Sequence, residues 1–395
     1  MTRVAKSVKG RPRVLFYSHD GFGLGHLRRS LAVAAAFDRH VPSAARLLIT
    51  GSTSVGNFEL PDSLDYIRIP GIDKRGIYEK ASSVAGDVFA LREALIAATI
   101  STFSPHMVVV DHNPAGLGGE LRSILNRYRK SSRRPRFVLG MRDITSGPEE
   151  THAEWKLDNS YELMRDVYDL ILVYGSRQVF DPIAEYELPP EIATKMVFTG
   201  YFRRPESRLP IHEVRRSLGA DDAPLAVVSA GSGADGAFLI ETFLQAMQRG
   251  LLPDLVASVV LGPQMPASDV DRLTSLADSL EAVTCVQFRN DLESHVAAAD
   301  VVLSMGGYNS VWEAIGARKR PIVTPRKGGS REQVIRADRL ASLGLLTLLH
   351  AEDLSPSHLA SVVKTELRNG ISPQRIVDFN GLERAGKALA TMVGH

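Results

Sequence analysis

Short apolar runs rich in β-branched residues alternate with longer stretches of helical periodicity along the whole chain. In the first half the runs are Arg13–Ser18, Arg46–Thr50, Tyr66–Ile69, Met107–Val110, Phe137–Met141, Leu170–Tyr174 and Met196–Thr199. In the second half they are Leu225–Ser229, Val256–Leu261, Val283–Phe288, Val301–Ser304, Pro321–Thr324 and Leu346–Leu349. Runs that are apolar at nearly every position predict strands buried on both faces, and helices between them predict parallel sheets. Each half therefore reads as a doubly wound α/β domain. The polar, proline-bearing stretch from Gly200 to Pro210 closes the first alternation. We expect domains at 1–202 and 203–370. A last helical segment at 371–395, after the Gly370-Ile371-Ser372-Pro373 break, is a candidate to pack back on the first domain.

Composition narrows the function classes. A chain of 395 residues exceeds what one hydrophobic core usually organises. No run approaches the ~18 consecutive apolar residues that a membrane-spanning helix needs. Met1 to Arg13 is basic but leads directly into a strand-like run, which predicts no export signal and a cytoplasmic location. The single cysteine, Cys285, sits in an apolar run, where a thiol packs as a small hydrophobe. A net charge of +2 without an aromatic-interleaved basic stripe argues against a nucleic-acid partner. One local run is strongly basic: Arg122, Arg127, Arg129, Lys130, Arg133, Arg134 and Arg136. It reads either as a solvated face or as attraction to an anionic membrane surface.

In open parallel sheets ligands bind beyond the carboxyl ends of the strands, so the loops that follow strands carry the candidate chemistry. The first runs Ser18-His19-Asp20-Gly21-Phe22-Gly23-Leu24-Gly25-His26 into a helix. Its glycine spacing is not the dinucleotide fingerprint, so a nicotinamide cofactor is not expected. Gly23 and Gly25 permit close approach of backbone to an acceptor, and His26 at the helix start is a candidate general base. Asp111 and His112 follow the fourth run; Asp111 either orients His26 or serves as the base itself, and an Asx turn before Pro114 explains the same residues. In the second half, Gly231, Ser232 and Gly233 form a small-residue loop fit to surround a phosphate. The most specific loop is Ser304-Met305-Gly306-Gly307-Tyr308-Asn309-Ser310, leading into a helix. Its free amides and dipole suit a diphosphate without a metal. Glu313 falls on the same face as Ser310, at the distance of the ribose hydroxyls. Asp269-Val270-Asp271 has the spacing of a metal-binding acid pair, but it stands at a helix start where acids are favoured without a metal; no metal is expected.

The segment Ser304–Glu313, followed by Pro325-Arg326-Lys327-Gly328-Gly329-Ser330-Arg331-Glu332-Gln333, resembles the C-terminal domain of family-28 glycosyltransferases, the group that contains the peptidoglycan enzyme MurG. The glycine loops at His26 and Gly231 extend the similarity to both halves. The resemblance implies a GT-B fold, two Rossmann-like domains facing a central cleft, and an inverting, metal-independent hexosyl transfer from a nucleotide diphospho-sugar, most simply a UDP-sugar, that needs no cofactor. It implies a diphosphate at Gly306, Gly307, Asn309 and Ser310, ribose at Glu313, the base near Arg289 and Asn290, and sugar hydroxyls at Glu332 and Gln333. Arg326 and Arg331 stand where they would offset leaving-group charge. Two departures, Glu332-Gln333 in place of paired glutamines and Met305 in place of a basic residue, leave the sugar open. The acceptor is also open, with a lipid-linked or membrane-proximal one as an expectation. The loop around His26 is also similar to that of nucleotide-sugar hydrolases of pseudaminic acid synthesis, in which water is the acceptor. A UDP-sugar 2-epimerase and a non-catalytic sugar-nucleotide sensor share the architecture.

Overall fold

Every one of these apolar runs overlaps a strand in the computed structural model, which describes residues 10–19, 25–53, 55–57, 60–61, 63–72, 88–203, 209–328, 331–370 and 377–394. The described residues fall into two compact units: those up to Tyr201 together with Asn380 onward, and Phe202–Phe379.

The first unit holds β1 (Arg13–Tyr17), β2 (Ala45–Thr50), β3 (Leu64–Arg68), β4 (Met107–Asp111), β5 (Arg136–Arg142), β6 (Leu170–Tyr174) and β7 (Met196–Phe198). They form one sheet in the order β3-β2-β1-β4-β5-β6-β7, and every pairing is parallel. Central β4, Met-Val-Val-Val-Asp, is buried along its full length, whereas edge strand β3 is mostly exposed. Covering helices on both faces make a continuous apolar run the stable sequence for the central strand, since each buried valine or leucine contributes about 1.5–3 kcal/mol.

The second unit holds β8 (Leu225–Ser229), β9 (Val256–Val260), β10 (Val283–Val286), β11 (Val301–Ser304), β12 (Ile322–Val323) and β13 (Thr347–Leu348), again all parallel, in the order β10-β9-β8-β11-β12-β13. Its core joins Val228, Phe243, Leu244, Val259 and Leu303, with Cys285 packed against it. Burial pushes that thiol up to about 11, which leaves it a protonated, unreactive group.

Both sheets reverse strand order at one place, between β1 and β4 and between β8 and β11. Such a switch point opens a crevice beyond the strand ends, and both candidate sites lie there.

The last helix runs Gly381–Gly394 rather than from 371; residues 377–379 are not helical, and 371–376 lie outside the described residues. It packs on the helix Gly25–His40. A Cβ on Gly386 would stand 2.6 Å from the Ala36 carbonyl oxygen, so glycine sets how closely the two helices approach.

Candidate active site

In the first unit the carboxyl ends of β1, β4 and β5 bring His19, Asp111, His112 and Arg142 to the start of the helix Gly25–His40. His26 stands in the first turn of that helix, and Arg29 follows one turn later on the same face. Asp111 is 5% exposed. Its Oδ2 lies 2.7 Å from His26 Nδ1, while Arg29 donates from Nε to Oδ1 at 2.6 Å and from Nη2 to Oδ2 at 2.8 Å. The two-pronged guanidinium fixes the carboxylate, and the carboxylate fixes the imidazole through Nδ1.

Two further imidazoles complete the cluster. The ring centroids of His19, His26 and His112 stand 5.2, 5.2 and 5.0 Å apart pairwise. Arg142 Nη2 is 3.5 Å from His112 Nε2. The Nδ1 atoms of His19 and His112 are buried without a hydrogen-bond partner among the described residues. His112 holds φ 72°, a left-handed conformation rare for a residue with a Cβ, and its backbone N–H donates to the Gly140 carbonyl at 2.7 Å. Such strain beside a buried polar atom is a mark of functional sites. Beneath the cluster, a Cβ on Gly140 would come within 1.9 Å of the Tyr174 hydroxyl, so this strand glycine makes the room that the tyrosine fills.

The electrostatics follow from that packing. Desolvation by burial lowers His26, and the neighbouring Asp111 only partly opposes it. Burial takes His19 down to about 3, and His112 is held well below the ordinary histidine range by burial and by Arg142. Asp111 lies far below the usual carboxylate range: burial works against its charge, but Arg29 and His26 outweigh burial. The site is thus a set of neutral imidazoles around an ionised carboxylate. Held by two partners, Asp111 is a weak base, whereas His26 is neutral and oriented. Gly25 opens the helix, Gly23 lies outside the described residues, and sequence reasoning missed Arg29, His19 and Arg142.

In the second unit the groups that converge are mostly backbone. The helix Tyr308–Gly316 begins after Gly306 and Gly307 beyond β11. Gly306 has φ 80°, and a Cβ there would meet a Val323 methyl at 2.8 Å. The loop Gly231–Gly233 beyond β8 faces the same helix start: Ser310 Oγ is 3.9 Å from where a Gly231 Cβ would stand. Gly233 abuts the Leu261 carbonyl, 2.5 Å from a notional Cβ, which pins this loop to the end of β9. Ser232 accepts at its carbonyl from Gln264 N–H at 2.7 Å.

The remaining predicted residues divide by position. Asn309, Ser310 and Glu313 lie half-buried on the helix Tyr308–Gly316. Gln333 is 6% exposed, and its Oε1 accepts from the Arg326 backbone N–H at 3.1 Å, so one of its polar atoms is spent on the loop. Glu332 pairs with Arg336, which also donates to the Gly306 carbonyl at 3.0 Å and lies over the Tyr308 ring. Arg331 is exposed at the start of the helix Glu332–Ser342. Arg289 and Asn290 follow β10, two strands from β8, with Arg289 3.5 Å from Asp291. Asp269 pairs with Arg272 at 2.7 Å in the first turn of the helix Ala267–Asp278.

Residues 257–380 match the model of the glycosyltransferase family 28 C-terminal domain, which covers the loop Ser304–Glu313 and Arg326–Gln333. An uncharacterized glycosyltransferase of Methanopyrus kandleri is 26% identical over 204 residues, 51% of this chain and 56% of the relative. A UDP-N-acetylglucosamine–N-acetylmuramyl-(pentapeptide) pyrophosphoryl-undecaprenol N-acetylglucosamine transferase of Rhodopseudomonas palustris is 28% identical over 177 residues, 44% of this chain and 48% of the relative. The chain is thus similar to family-28 glycosyltransferases, with the family's C-terminal domain matched over residues 257–380. It spans about half the length of the curated relatives it matches. Among solved structures, MurG of Acinetobacter baumannii aligns with a TM-score of 0.56 at 15% identity, covering 97% of this chain and 99% of that one. A UDP-glucosyltransferase of Polygonum tinctorium aligns with a TM-score of 0.63 at 14% identity, covering 98% and 99%. The fold is GT-B. The hydrolase reading gains no support from these matches.

Proposed function

We propose that this chain transfers a glycosyl group from a nucleoside diphospho-sugar, a UDP-sugar in the simplest case, to an acceptor hydroxyl with inversion at the anomeric carbon. The observation that carries the reading is the His26–Asp111 dyad at 2.7 Å, at the switch point of one sheet, in a chain whose other sheet bears glycine loops and a helix start at the same place. His26 takes the proton of the acceptor hydroxyl at Nε2. Asp111 holds the Nδ1–H tautomer and balances the imidazolium that forms, and Arg29 holds Asp111. The donor diphosphate sits on the amides at the start of the helix Tyr308–Gly316, where departing negative charge is stabilised. Glu313 takes the ribose, Arg289 and Asn290 flank the base, and Glu332, Gln333 and Arg331 face the sugar. No cofactor is required.

The name of the Rhodopseudomonas relative contains an undecaprenol-linked acceptor, and we extend the reading to a lipid-linked acceptor met at a membrane surface. No helix among the described residues is long and apolar enough to cross a membrane. Much of the basic run is neutralised within the fold: Arg122 pairs with Asp158, Arg129 with Asp166, and Arg134 and Arg136 with Asp169. Arg127, Lys130 and Arg133 remain as exposed cations, so binding to anionic vesicles is expected to be weak and salt-sensitive.

The test is nucleoside diphosphate release from a panel of sugar nucleotides, with and without candidate acceptors. Acceptor-dependent release that His26→Gln abolishes supports the reading. Release to water alone would turn it into hydrolysis, and binding without any release would leave a sensor.

A further inference from the structure

The cations around the helix start Tyr308–Gly316 are not equally committed. Arg336 is 1% exposed, donates to the Gly306 carbonyl and pairs with Glu332. Lys327 lies over the Phe238 ring, 5.5 Å from its centroid. Arg326 differs from both. Its backbone N–H is fixed by Gln333 Oε1 at 3.1 Å, so the root of the side chain is anchored. Its Nη1 lies 3.2 Å from Asp235 Oδ2, with Arg326 and Asp235 31% and 41% exposed. Its Nε is buried and has no acceptor among the described residues.

Asp235 stands just before Gly236, where a Cβ would meet Ala230 and, at 2.8 Å, the Met305 sulfur. The Asp235 loop therefore abuts the turn that leads into the helix start. An ion pair this exposed is weakly held and readily exchanged. A diphosphate at the helix start carries the same charge as the Asp235 carboxylate and competes for the same guanidinium.

We propose that Arg326 neutralises the donor diphosphate, and that Asp235 is a placeholder that holds Arg326 in the unliganded protein and yields it when the diphosphate arrives. This rests on the donor-site reading above. As transfer proceeds, the bond from the anomeric carbon to the β-phosphate oxygen breaks and its electron pair stays on that oxygen. The acceptor oxygen bonds to the carbon and its proton passes to His26. Arg326 meets the charge that accumulates on the leaving oxygen.

The experiment is calorimetric titration of the full chain with UDP and, separately, uridine, for wild type, Arg326→Gln, Arg326→Lys, Asp235→Asn and the Arg326→Gln/Asp235→Asn double variant. Arg326→Gln is expected to weaken UDP about 10- to 100-fold while leaving uridine unchanged, as for loss of a charge-assisted contact. Arg326→Lys should recover part of the loss. Asp235→Asn should tighten UDP several-fold, and that gain should vanish in the double variant. UDP binding equal in wild type and Arg326→Gln overturns the proposal while leaving the donor site standing. Weaker UDP binding in Asp235→Asn overturns the placeholder role. A wild type that binds no nucleoside diphosphate removes the donor-site reading, and this proposal with it.

Discussion

The two sheets are built alike and furnished differently. Each is parallel and reverses order beside its first strand. At the β1/β4 reversal the structure concentrates titratable side chains: three half-buried imidazoles, the buried Asp111 carboxylate, and the guanidinium groups of Arg29, buried, and Arg142, half-buried. At the β8/β11 reversal it presents glycines with positive φ, a helix start and one loosely paired cation, Arg326. The first arrangement suits moving a proton and the second suits holding an anion. One topology thus supplies two kinds of chemistry, depending on whether its loops carry side chains or bare backbone.

Breaking the first region should have the largest effect. His26→Gln is expected to lower acceptor-dependent nucleotide release about 10²- to 10⁴-fold, measured as initial rates at saturating donor. Asp111→Asn should combine a similar loss with a drop in stability of about 3–5 kcal/mol, read by urea denaturation, because Arg29 keeps its charge in a buried site without its carboxylate.

The second region should respond in affinity instead. Gly306→Val forces a branched side chain onto φ 80° and against Val323. Its dissociation constant for UDP should rise at least about 10-fold, with the pH dependence of turnover unchanged.

The smallest effect sharpens the electrostatic contrast. Folding holds His19, His26 and His112 neutral, so their folded pKa values lie below the unfolded one near 6.5. The unfolded chain binds more protons below that pH, so stability falls as pH drops below about 6.5; His19, held down to about 3, contributes on the order of 2 kcal/mol of that fall by pH 5. His19→Gln and His112→Gln should flatten that slope in denaturation curves taken from pH 7 to 5. Substitutions in the Gly231–Gly233 loop should leave it alone.

How much of this was legible in the sequence depended on whether the signal was local. The apolar runs named every strand because continuous burial leaves a continuous pattern, as in Val108–Val110. The loops beyond β8 and β11 were legible because glycine at positive φ is itself a sequence mark. Arg29 could have been found, since three residues from His26 on one helix places both on the same face. Arg142 could not, because its place beside His112 depends on β5 pairing with β4, and the sequence states no strand order. His19 was passed over in favour of the glycines that follow it. The end of the chain was less legible for a similar reason: residues 377–379 are not helical, and the last helix starts at Gly381, where it packs on the helix Gly25–His40.

The division of labour between the two regions is tested most directly by His26→Gln in a paired measurement of UDP affinity and acceptor-dependent UDP release on one preparation. The account predicts a dissociation constant within about twofold of wild type and a rate at least about 100-fold lower. Retained turnover, or affinity that falls in step with the rate, would contradict it.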